Sequence, residues 1–261
     1  MFGWWKRRRR AAIRARPFPD AWRAIIAHNV PLMARLSPAD QAELIGHTQV
    51  LLAEKHFEGC GGLELTDEMR VTVAAQASVL LLHRPPTYYP RLVSILIYPS
   101  TYLVPGGHRN AQGLVDLEPQ ARLGESWSRD VVVLAWDSVL SGAGDIHDAH
   151  NLVLHEFAHQ LDTESGEANG TPILPRTSMY VAWGRVLSRD FDALVADAVH
   201  RRPTLIDQYG ATNPAEFFAV VTETFFEKPR QLQRKHPELY EQLRDFYKQD
   251  PALFDGPGGA E

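Results

Sequence analysis

His155, Glu156 and His159 stand as H-E-x-x-H within Asn151-Leu-Val-Leu-His155-Glu156-Phe-Ala-His159-Gln-Leu-Asp162. In a helix, residues four apart share a face, so both imidazoles can hold one metal ion. Nitrogen ligands suit Zn²⁺, which prefers tetrahedral sites. Glu156 lies to one side of that face, where it reaches a water on the metal rather than the metal itself. Zinc lowers the pKa of such a water to roughly 7, and a neighbouring carboxylate then accepts its proton. Three specified residues also arise by chance, and two core histidines satisfied by hydrogen bonds are the plain alternative. The surroundings favour a metal. Leu152, Val153, Leu154, Phe157, Ala158 and Leu161 make the helix apolar nearly all round, which implies burial, and buried polar groups need partners.

A catalytic zinc takes three protein ligands and leaves one position open. The extended form H-E-x-x-H-x-x-G-x-x-H is excluded, because Asp162 and Ser165 stand where its glycine and third histidine belong. Glu216 is the stronger candidate. Asn213 and Pro214 open a helix, Glu216 falls in its first turn, and Phe217, Phe218, Val220 and Val221 bury it. A buried carboxylate without a cation is costly. The competing reading is a capping box, in which Glu216 bonds only the backbone N–H of Asn213. Glu223, seven residues on, and Asp162, three past His159, can each accept a hydrogen bond from the non-ligating nitrogen of an imidazole. Each is equally readable as structural. Tyr209 precedes Gly210 in a turn, and a phenol there can donate to an oxyanion.

The elements that must position these groups are legible in outline. Ser37-Pro38-Ala39-Asp40 starts a helix that the apolar spacing carries to about Phe57, and Gly59, Gly61 and Gly62 break it. Thr66-Asp67-Glu68 starts another, which stops before Pro85-Pro86. Leu92 to Tyr98 and Val131 to Trp136 read as strands. Between them, Gly106, Gly107, Gly113 and Gly124 suggest a hairpin or irregular strands near Gly113 to Val115. Asp145 or Asp148 can cap the metal helix. A strand just before that helix can pair with an extended peptide, so Val133, Leu134 and Ala135 are candidate substrate-binding residues. The stretch 163–176 is a loop, and Met179 to about His200 and Pro237 to Lys248 are helices. The expected fold is α+β, mostly helical, with a small mixed sheet before the metal helix. A basic flexible tail covers residues 1–19, one domain covers 20–250 with a helical part to about 90, and a flexible tail covers 251–261.

Composition narrows the function classes. The net charge of −5 at pH 7 argues against nucleic acid as a partner of the whole chain. The single cysteine, Cys60, excludes an internal disulfide and a cysteine metal site. No apolar run reaches the roughly 18 residues of a membrane span. The start, Met-Phe-Gly-Trp-Trp before Lys6-Arg7-Arg8-Arg9-Arg10, lacks the apolar segment of a secretory signal, which predicts a cytoplasmic protein. Two tryptophans beside basic residues can touch an anionic membrane, though a solvated tail is the commoner case.

Leu96-Ile-Tyr-Pro99, the Asn151–Asp162 segment and Tyr209-Gly-Ala-Thr-Asn-Pro-Ala-Glu-Phe-Phe-Ala219 resemble the Mlc titration factor A family. These are bacterial zinc peptidases similar to the catalytic domain of anthrax lethal factor. The resemblance covers roughly residues 20 to 250. It implies His155, His159 and Glu216 as ligands to one Zn²⁺ per chain, Glu156 as general base, and Tyr209 as transition-state stabiliser. It also implies a gluzincin-like zincin fold, aminopeptidase activity on short peptides, and binding to a glucose-responsive transcriptional repressor. An alternative reading follows: a regulatory protein that sequesters a repressor of sugar uptake, with peptidase activity secondary. Lethal factor-like proteins carry an acid four residues after the ligand glutamate, where this chain has Val220. The partner of the imidazoles therefore stays open between Glu223 and Asp162.

Overall fold

The computed structural model describes residues 2–100, 108–109, 115–116 and 130–253. Helices dominate. In chain order they are α1 (Phe2–Arg14), α2 (Asp20–Asn29), α3 (Pro38–Glu54), α4 (Asp67–Val79), α5 (Trp136–Gly144), α6 (Leu152–Asp162), α7 (Met179–Val199), α8 (Pro214–Glu227), α9 (Pro229–Lys235) and α10 (Pro237–Tyr247). The strands are β1 (His56–Gly59), β2 (Ser94–Tyr98), β3 (His108–Arg109), β4 (Val115–Asp116) and β5 (Val131–Ala135). This is a mostly helical α+β fold.

The sheet has the order β1-β2-β5 and is parallel throughout, with Phe57 opposite Ile95 and Leu96 opposite Val133. Ile95, Ile97, Val132 and Leu134 point into the core, as the period of two along a strand requires. The β3–β4 pair is a separate antiparallel ladder. Gly113 and the three other glycines of the expected hairpin lie outside the described residues.

The start signals of α3 and α4 work as caps: Ser37 Oγ accepts from Asp40 N at 3.2 Å and Thr66 Oγ1 from Met69 N at 3.3 Å. Two elements depart from expectation. α3 ends at Glu54 and not near Phe57, because His56–Gly59 is drawn into the ladder beside β2. Lys55 secures the crossing by donating to the carbonyls of Tyr89 and Leu92, both at 2.7 Å. Trp136, expected as the last residue of the strand, instead opens α5, which packs on α6.

The basic start and residues 251–253 also differ from tails. The basic start is a helix lying along α3, with Ile13 only 4% exposed. Arg10 grips Glu54 through three hydrogen bonds, Nε to Oε1 at 3.0 Å and to Oε2 at 3.2 Å, and Nη2 to Oε2 at 2.7 Å. At the other end, the backbone N–H of Ala252 donates to Tyr240 Oη at 3.1 Å and Ala252 is buried; residues 254–261 lie outside the described ones. One contiguous apolar cluster runs from Ile13 to Ala252, and both α6 and α8 contribute to it.

Candidate metal centre

α6 and α8 pack directly against each other, and each starts with an asparagine cap. Asn151 Oδ1 accepts from Leu154 N at 3.0 Å. Asn213 Oδ1 accepts from Ala215 N at 2.9 Å and Glu216 N at 3.0 Å. Asp145 and Asp148, the expected caps of α6, instead close turns before it by accepting from His147 N and His150 N. Asn213 alone caps α8, which leaves the Glu216 carboxylate free to turn toward α6.

That carboxylate meets both imidazoles. Glu216 Oε2 lies 3.0 Å from His155 Nε2 and 3.4 Å from His159 Nε2, and the two Nε2 atoms are 3.2 Å apart. Burial opposes ionisation of Glu216, but the imidazoles outweigh it and hold the carboxyl well below the usual range.

Glu223 stands behind His155. Its Oε1 is 2.8 Å from His155 Nδ1, and its Oε2 accepts from Asn151 N at 2.5 Å. Burial works against a charged His155, yet Glu216 and Glu223 together raise its pKa well above the ordinary value. A carboxylate at Nδ1 keeps a proton there, so Nε2, which faces Glu216 and His159, is the nitrogen left to bind a metal. Asp162 is placed differently. Its Oδ2 accepts from Gly170 N at 2.7 Å, and it acts on His159 only through charge.

Glu227 escaped the sequence reading. Its Oε1 accepts from Asn151 Nδ2 at 3.1 Å, so the residue that caps α6 is held by α8 at both its backbone and its side chain. Burial, helped by the charge on Glu223, pushes the Glu227 carboxyl up to about 9, so it is neutral at pH 7. The signal was present: Glu216, Glu223 and Glu227 recur at seven and four, one face of a helix.

Glu156 is half-buried beside the imidazoles, and among the described residues its carboxylate has no hydrogen-bond partner. Burial raises its pKa, with the imidazole charges opposing and Glu216 and Glu223 adding to the shift. Tyr209 sits in a 3-10 turn, Gln208–Ala211, whose start Asp207 caps, and its ring centroid is 6.0 Å from that of His155. β5 packs against α6 and forms one edge of the three-stranded sheet. Leu134 and Ala135 are fully buried and Val133 is half-buried, so a peptide beside this strand would meet mainly backbone.

Residues 2–248 match the family described as glucose-regulated metallo-peptidase M90. The chain belongs to that family. An uncharacterized protein of Synechocystis sp. is 42% identical over 244 residues, covering 91% of this chain and 87% of its own length. Proteins called Mlc titration factor A in Yersinia pestis and Yersinia pseudotuberculosis are 33% identical over 228 residues, covering 86% of this chain and 83% of theirs.

An M90 metallo-peptidase requires a metal ion, and this chain can be tested for a place to hold one. Tetrahedral bonds of about 2.0–2.1 Å put ligand atoms about 3.4 Å apart; the three atoms here are 3.0, 3.2 and 3.4 Å apart. The donor set, two imidazoles and a carboxylate, fits. Among the described residues one other group has ligating atoms within reach of each other: Asp40, Glu43 and His83. There both ring nitrogens of His83 are engaged, by Asp40 at 2.6 Å and the Lys248 carbonyl at 3.0 Å. Of the two groups, the one on α6 and α8 supplies two imidazoles, each with its Nε2 facing Glu216.

Proposed function

We propose that this metallo-peptidase holds one zinc ion per chain on His155, His159 and Glu216 and hydrolyses peptide bonds, acting as an aminopeptidase on short peptides in the cytoplasm. The observation that carries the reading is the convergence of those three ligating atoms beside a carboxylate, Glu156, that has no hydrogen-bond partner among the described residues. Bound there, zinc would supply a Lewis acid for the scissile carbonyl and lower the pKa of an attacking water. Glu156 accepts the proton of that water and passes it to the leaving amine. Tyr209, beside His155, donates from its phenol to the oxygen on which charge develops. Glu223 holds His155 in the tautomer that presents Nε2, and Asp162 ties the loop after α6. The outer edge of β5, through the backbone of Val133, Leu134 and Ala135, pairs with the extended substrate.

Glu156→Gln tests this. The variant should keep its metal and lose turnover by a factor of 10² or more, measured on a peptide library with free and acetylated amino termini. Retained turnover would remove Glu156 from the role of base, and equal cleavage of acetylated peptides would remove the aminopeptidase assignment.

A second reading is a regulatory protein that sequesters a glucose-responsive repressor of sugar uptake, with hydrolysis secondary. It is favoured by the Yersinia relatives' name, Mlc titration factor A, and by the family's description as glucose-regulated. Glu156→Gln separates the two: binding of a repressor by the inactive variant would make sequestration independent of hydrolysis.

A further inference from the structure

We propose that the outward face of α1 is a docking surface for an anionic lipid bilayer. The proposal stands on α1 alone and does not depend on the metal site. One face of the helix is committed to the protein. Ile13 is buried, Arg10 is fixed to Glu54 and lies 4.3 Å above the Tyr88 ring, and the Arg14 side chain crosses α3 where Gly46 leaves room for it. A Cβ at position 46 would meet Arg14 Nε at 2.8 Å. The helix is therefore held in one orientation, and its other face cannot turn inward.

At about 100° per residue, the outward arc reads Arg7, Ala11, Trp4, Arg8, Ala12, Trp5, Arg9. All seven are exposed, Trp4 by 56% and Trp5 by 62%. Among the described residues no carboxylate lies within ion-pair distance of Arg7, Arg8 or Arg9. Two large exposed indoles interleaved with arginines, Arg8 between them and Arg7 and Arg9 outside, suit a helix lying in the plane of a bilayer surface: the indoles enter the headgroup layer while the arginines reach lipid phosphates. In a chain of net charge −5 this local excess of positive charge complements an anionic surface.

The rings also argue against single-stranded nucleic acid. Trp4 and Trp5 meet edge to face at 5.1 Å, and the Arg8 guanidinium sits 5.1 Å over the Trp4 ring. One side of the Trp4 ring is therefore taken by Arg8 and closed to a stacking base, which such binding uses. A bilayer needs no open ring face and no complementary groove. Because α1 is already folded, binding orders little of it.

The test is sedimentation of the full chain with vesicles of phosphatidylcholine alone or mixed with phosphatidylglycerol, at low and physiological salt. The protein should pellet only with the anionic vesicles. Each basic residue near such a surface is worth about fivefold in partitioning, so Arg7→Ser, Arg8→Ser and Arg9→Ser together should weaken binding about 100-fold. Trp4→Ala with Trp5→Ala should weaken it about tenfold or more through lost apolar burial. These side chains face solvent, so circular dichroism and melting temperature should match the wild type in both variants, which shows that the loss is not unfolding. Absence of wild-type binding at low salt overturns the proposal. So does full binding by the tryptophan variant, which would leave only a diffuse attraction of charge. Release from the vesicles by a single-stranded oligonucleotide at equal phosphate concentration would assign the face to nucleic acid instead.

Discussion

Replacing Glu223 by Gln changes one atom and tests the link between α8 and the imidazoles. Both carboxylate oxygens accept, one from His155 Nδ1 at 2.8 Å and one from Asn151 N at 2.5 Å, and the residue is fully buried. Glutamine supplies one oxygen and one amino group, so only one contact survives. If the oxygen stays with Asn151, the amino group faces His155 Nδ1 and favours the tautomer with the proton on Nε2, where the metal would bind. Loss of such a partner typically lowers metal affinity 10–100-fold, about 1.4–2.7 kcal/mol. If the oxygen stays with His155, the Asn151 N–H is left buried without an acceptor, at about 1–3 kcal/mol. For a chain of this size that is about 2–12 °C in melting temperature, at about 2–4 °C per kcal/mol. Zinc affinity is read by competition with a fluorescent chelator, and stability by melting the metal-free protein. Glu223→Gln with both quantities at wild-type values would refute the reasoning, since neither branch would then carry a cost.

Asp162→Asn is the control: its oxygen can keep Gly170 N, so zinc affinity should stay within about twofold of wild type, against the 10–100-fold expected for a residue that orients an imidazole. A loss as large as that of Glu223→Gln would place Asp162 on the imidazoles. Gly170→Ala strains two things at once, a backbone at φ +75° and a Cβ 2.4 Å from the Pro214 carbonyl oxygen. It should cost about 1–3 kcal/mol and also weaken zinc binding, because Pro214 begins the helix that carries Glu216; calorimetry of the metal-free and zinc-loaded forms checks both. His47→Gln tests a buried histidine distant in sequence from the centre. Burial first, then the Arg14 charge, lower its pKa from 6.5 to about 4 against the pull of Glu43. Between those values the unfolded chain binds a proton that the folded chain does not, so stability is lost as pH falls from 6.5 to 4. The loss is on the order of 3 kcal/mol. Urea melts across that range should give the variant a shallower decline, and parallel profiles would contradict the assignment.

What could be read from the chain by itself was local. The spacing of His155 and His159 fixes a shared helix face through the period of 3.6, whatever surrounds it. The caps at Ser37, Thr66 and Asn213 act within four residues, so their helices start where expected. The family likeness pointed to Glu216, and Asn213-Pro214 explains locally why its carboxylate lies at the first turn. What tertiary structure decided involves partners far apart in sequence. His56–Gly59 is a strand because β2 offers it a backbone edge, not because its four residues prefer one. Glu223 and Asp162 were equivalent as letters. The packing of α8 across α6 put the first on His155, while the loop after α6 turned the second to Gly170. The basic start becomes a docked helix through Arg10 and Glu54, 44 positions apart. Periodicity and capping act along a few bonds and are written in neighbouring residues. Which carboxylate meets which imidazole depends on how whole helices pack, and that is settled only when the core closes.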